Sequence, residues 1–184
     1  MDPRVCYHLR FDVQTTEDAQ MDEVQRLGEL LEANKRNEEH KHQQFQADLA
    51  HWESSILGLY QQIESWLVPL KSNGQVLFEY EPHLAQSIGY PDEHSPFRTQ
   101  RLTLSLAARQ VVFVPDAMGA KGVVSVVVTG LSLHAQELIS LTLAPQASDW
   151  QLTKRIGLKE SSTHAFTIEY FARQLQTLVP QSSV

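Results

Sequence analysis

Large apolar residues stand at Phe45, Leu49, Trp52, Ile56, Leu59, Ile63, Trp66 and Leu70, at steps that alternate four and three. That 3.5-residue period gathers them on one narrow face of an α-helix, whereas an extended chain would scatter them over both sides of a sheet. The run predicts an amphipathic helix over residues 45–67, about 35 Å long at 1.5 Å per residue. Pro69 disfavours the α conformation at Val68, and Ser72-Asn73-Gly74 supplies a turn. Gly58, inside the helix, costs about 1 kcal/mol against alanine. Either a close neighbour or an unimportant exposed position would explain it.

Upstream, Val5, Tyr7, Leu9, Phe11 and Val13 alternate with polar residues and Cys6, the pattern of a half-buried strand. Thr15 with Asp18 resembles a capping box, so a helix should begin nearby. Val24, Leu27, Leu30 and Leu31 give that helix a short apolar face. The tract 32–44 is nearly all polar yet holds neither proline nor glycine. It reads as a break between two helices, or as one helix whose middle stands in water.

Beyond Gly74 the period shifts to two. Val76, Phe78 and Tyr80 form a strand closed by Pro82, and residues 84–88 suggest a single helical turn. Strands follow over residues 102–106 and 111–114. The stretch 123–128, apolar but for Ser125, predicts a central strand buried on both faces. One or two strands over 131–143 and a last one near Trp150 and Leu152 complete the set. Phe166, Tyr170, Phe171, Leu175 and Leu178 then share one helical face. The expected fold is a single α+β domain over 1–184. It has an N-terminal strand (1–14), a helical arm (15–71), an antiparallel sheet of about five to seven strands (72–160) and a C-terminal helix (161–180). The long amphipathic helix, or helix pair, packs on the sheet together with the C-terminal helix.

Charge narrows the function. Of the formal net −7, residues 1–71 hold 13 Asp/Glu against 7 Lys/Arg, and residues 72–184 hold 9 against 8. A phosphate backbone would be repelled by the first part and barely attracted by the second, so no nucleic-acid partner is expected. No run approaches the roughly 18 apolar residues that would span a membrane. A single cysteine forms neither an intramolecular disulfide nor a cysteine-based zinc cluster. The reading is a cytoplasmic protein needing no cofactor.

Chemistry-bearing residues are sparse. Glu39 and His42 stand three apart, as do Asp48 and His51, a spacing that di-metal bundles use. No second Glu-x-x-His answers them, so Glu39 and His42 form only a weak metal candidate on a solvated face. Ser125 lacks the Gly-x-Ser-x-Gly turn of an exposed nucleophile. Cys6 with His8, and His134 among apolar neighbours, read as ordinary side chains. The stretch 118–122 lacks the phosphate-loop frame, and Arg98, Arg101, Arg109, Lys154, Arg155 and Lys159 read as scattered charge.

The expected function is therefore a non-enzymatic protein–protein interaction module. It would self-associate or bind a protein partner through the long helix, which can overhang the sheet it covers. Phe45, Leu49, Trp52 and Ile56 are the expected anchors. Two other classes remain: an acidic inhibitor or immunity-type protein that binds a basic partner, and a metal-dependent hydrolase using the His/Glu-rich tract.

Overall fold

A computed structural model describes residues 14–90, 95–119, 122–133, 137–157 and 160–180, with side chains described from residue 22 onward, that of Glu160 excepted. The strand expected over residues 5–13 lies outside these. Helix α1 (Gln14–Trp66) is continuous for 53 residues and is followed by the short α2 (Val68–Ser72), whose N-terminus carries Pro69. The strands are β1 (Val76–Ala85), β2 (Ser87–Ile88), β3 (Phe97–Leu106), β4 (Arg109–Pro115), β5 (Met118–Gly119), β6 (Val124–Thr129), β7 (Glu137–Leu143), β8 (Gln151–Ile156) and β9 (Glu160–Ala165). Helix α3 (Ile168–Leu178) ends the order. The architecture is α+β, as the periodicities require.

The chain divides into two compact units, residues 1–44 and 45–184. In the first, residues 22–44 are helical, and every one of them is exposed. The tract 32–44 therefore continues the helix through water rather than breaking it. With neither proline nor glycine in the tract, the backbone ladder runs uninterrupted, and Arg36 donates to Glu32 at 3.0 Å one turn back.

The second unit is a seven-stranded antiparallel meander in the order β1-β3-β4-β6-β7-β8-β9, with β2 and β5 paired in parallel beside it. Its register is set by the alternation of the strands. Leu104 pairs with Val111, Phe113 with Val128 and Val126 with Leu141, so large apolar residues stack row by row on one face. Against that face lies the C-terminal part of α1. Trp52, Ile56, Leu59 and Ile63 are each at most 3% exposed, and Phe171, Leu175 and Leu178 of α3 complete the core. The evenly stepped ridge is thus the spine of the core, save Leu70, which is exposed in α2.

Three local expectations change. Strand β1 runs through Pro82 to Ala85 instead of closing there, and no helical turn follows. Among the described residues β1 pairs with β3 alone, and a proline is tolerated on a strand whose other side carries no ladder. Strand β6 is central, but only one of its faces is fully buried: Val124, Val126 and Val128 are buried, while Ser125 and Val127 are half-buried. Of the one or two strands expected over 131–143, the described residues hold one, over 137–143. At the C-terminus, residues 160–165 form β9 rather than the first turns of a helix, and α3 starts at Ile168. Thr167 provides the start signal, its hydroxyl accepting from the Tyr170 N–H at 3.3 Å.

Tyr60 ties helix to sheet. Buried one step past Leu59, it donates its hydroxyl to the carbonyls of Gln100 (3.0 Å) and Phe113 (3.3 Å) on neighbouring strands. Burial raises its pKa well above that of a free phenol. Tyr80, 5.9 Å from it ring to ring, is pushed up to about 12 by desolvation and by the nearby Glu64 carboxylate. A phenol with a raised folded pKa stabilises the fold fully below its unfolded value near 10 and loses that contribution as pH climbs through the folded value. Absorbance at 295 nm should therefore show fewer phenolates at pH 11 in native protein than in urea, with unfolding setting in between pH 10 and 12. Identical native and urea titrations would contradict the burial of Tyr60 and the desolvation of Tyr80.

Candidate interaction surface

In the first unit, Val24, Leu27, Leu30 and Leu31 are 70%, 56%, 62% and 62% exposed. At about 100° per residue, Val24, Leu27 and Leu31 line one face, with Leu30 on one flank of it and Gly28 on the other. Apart from Ala33, His40 and His42, the rest of the helix surface is charged or amide. Its ion pairs, Lys35 with Glu39 (4.0 Å), Arg36 with Glu32 (3.0 Å) and Lys41 with Glu38 (3.0 Å), are all at least half exposed on both partners. Pairs of that kind contribute little to stability, so the apolar stripe is the distinctive feature of this surface.

The anchors expected from the sequence sit elsewhere. Phe45, Trp52 and Ile56 are buried in the core of the second unit, and Leu49 is half-buried against it. Phe45 meets Tyr90 edge-on at 5.2 Å, and Trp52 meets Phe97 edge-on at 5.3 Å. Tyr90 donates to the Asp48 carboxylate at 2.7 Å, which with burial raises the Tyr90 pKa. Phe97 of β3 covers Trp52, and Tyr90 in the 89–90 bend covers Phe45. The overhang that would have exposed them is absent from residues 45–56.

Glu39 and His42 lie on the exposed helix, with Glu39 beside Lys35. Among the described residues, no group of three or more His, Cys, Asp or Glu side chains is placed to hold a metal ion. Ser125 stands opposite Thr142 in the ladder, on the sheet face away from the helices. Cys6, His8, His134, Lys121 and Lys159 lie outside the described residues, and Met118-Gly119 forms β5 instead of a plain hairpin turn. Of the basic residues, Arg101 donates to Glu81 at 2.8 Å and holds that carboxyl below its usual range.

One polar group was not foreseen. Lys154 donates to Gln174 of α3 at 2.6 Å, approaches Glu137 at 4.0 Å and lies 5.9 Å from the Tyr170 ring, on which His164 stacks. The Lys154 and Glu137 side chains are only 17% and 9% exposed. Charge this far from water needs such partners, and the arrangement fastens α3 to β7 and β8. The sequence signal was Lys154 falling on the apolar phase of β8, two after Leu152. A surface cavity of about 420 Å³, lined by Ser105, Arg109, Gln110, Ser132 and Leu178 among others, offers one charged group and no acid–base pair.

No helix among the described residues is long and apolar enough to cross a membrane. Comparison with protein-family models, with curated proteins and with solved structures finds no match.

Proposed function

We propose that this chain is a non-enzymatic protein–protein interaction module that docks through the helical residues 22–44. The observation that carries the reading is the stripe of Val24, Leu27, Leu30 and Leu31, more than half exposed on an otherwise polar helix. Single exposed apolar residues are ordinary, but four within eight positions make a contiguous patch. Full burial of each would contribute about 1.5–3 kcal/mol. A polar helix standing in water is marginal on its own, so a partner laid on the stripe would also stabilise the helix. Helix-in-groove and helix-on-helix recognition use anchors at this spacing.

The test is a photo-crosslinking amino acid at Leu27 of the full chain, expressed in cells. An adduct of defined mass is expected, and it should vanish when Leu31→Glu is added. The same probe at Leu138, 54% exposed on the sheet, is the control and should capture nothing. No adduct at residue 27, or equal capture at both positions, overturns the reading. Both positions are exposed, so circular dichroism should report an unchanged fold throughout.

A further inference from the structure

Resting on that interaction reading, we infer that the partner is a second copy of this chain, its helix laid antiparallel along the stripe about a two-fold axis near residue 29. The seam of the exposed helix runs Val24, Leu27, Leu31, Asn34, Glu38 and Lys41, at steps of three and four. A parallel, in-register pair would bring each seam residue against its own counterpart. Glu38 would then face Glu38 and Lys41 would face Lys41, both like-charge contacts, and Leu30 on the flank would be laid beside Lys35.

The antiparallel arrangement removes these conflicts. Leu27 faces Leu31 of the second copy, Leu31 faces its Leu27, and Val24 meets the uncharged Asn34. The axis relating two antiparallel helices keeps each flank on its own side, as a self-complementary two-fold contact requires. Leu30 therefore meets Leu30 of the second copy, and Gly28 meets Gly28 on the opposite flank. A Cβ built on Gly28 finds nothing within 4 Å in its own chain, so the missing side chain leaves room for the other backbone. Glu29 sits at the axis in sequence but points about half a turn away from the seam, so two copies do not crowd charge there. All four exposed apolar side chains thereby gain an uncharged neighbour. A partner of single-sign charge is not favoured, because the seam and flanks carry both signs, Glu23 and Glu38 with Lys35 and Lys41.

So short a seam falls below the roughly 800 Å² per partner of a standard stable interface, so a weak, concentration-dependent dimer is expected. The test uses the full chain with Cys6→Ser. Sedimentation velocity should show the mass rising from monomer to dimer with concentration. Leu30→Glu and Leu30→Lys should each weaken the dimer at least tenfold, by placing like charges across the axis. An equimolar mixture of the two should restore it, since Glu then meets Lys. Spin labels at Lys41→Cys should lie far apart, about 36 Å along the axis, where a parallel pair would hold them near the 8–10 Å helix spacing. A wild-type chain that stays monomeric at millimolar concentration overturns the inference, as do a mixture that fails to dimerise and labels that lie close together. If the chain stays monomeric while the residue-27 probe captures a different protein, the second-copy inference fails and the interaction module stands. Absence of any adduct ends both.

Discussion

Replacing Trp52 by alanine is expected to lower the unfolding free energy by about 3–5 kcal/mol, the range for emptying a large aromatic site in a packed core. Trp52 is 1% exposed and sits edge-on to Phe97, with the helix on one side and the sheet on the other. Neither element can move into the void without breaking its own hydrogen bonds. Trp52→Phe should cost far less, about 1–2 kcal/mol, because it keeps a ring and removes a buried indole N–H that meets no acceptor among the described residues. Leu27→Ala, on the exposed helix, should change stability by no more than about 0.5 kcal/mol. Urea unfolding followed by tryptophan fluorescence and by circular dichroism ranks the three. Equal losses at positions 27 and 52 would refute the division into a packed unit and a solvated helical one.

Gly130→Ala should be comparably damaging, at roughly 2–5 kcal/mol. Its φ is +80°, in the left-handed region, and an added Cβ would lie 1.9 Å from the backbone oxygen of Gln110. A flexible side chain could yield; a backbone carbonyl within β4 cannot do so without moving the strand. Relief requires the 130–133 loop to lift away from the start of β4, loosening the β4–β6 pairing that ends at Val112 and Thr129. Gly58→Ala is the counterpoint. Gly58 is exposed in mid-helix with nothing within 4 Å of an added Cβ, so alanine should stabilise the protein by up to about 1 kcal/mol. The same substitution at two glycines should therefore shift the thermal midpoint in opposite directions. A neutral Gly130→Ala would mean that the loop does not press on β4.

How much of this was legible in advance depended on how far each signal is local. The 3.5-residue ridge fixed the spine because its period is intrinsic to one helix, and seven of its eight residues are buried or half-buried against the core. The longer strands followed from alternation, but the two-residue β2 and β5 did not, and neither did β9, where Ser161, Ser162, Thr163 and His164 carry no apolar phase. They join the sheet by pairing with β8. Tyr60 stands four after Ile56, a helical spacing that runs beside the ridge. That its hydroxyl would reach Gln100 and Phe113, however, depends on strands 40 and 53 residues away.

The interaction surface shows the same limit. Both Val24 with the three leucines and Phe45 with Leu49, Trp52 and Ile56 are apolar faces on one helix, and nothing in the residues themselves separates a face awaiting cover from one already covered. By itself, the sequence determined which residues must share a helix face and which must alternate on a strand, because those periods come from backbone geometry. Only the tertiary structure decided which faces are occupied, because burial depends on how far the sheet extends beneath the helix. That extent is set by strand pairing between residues distant in the chain.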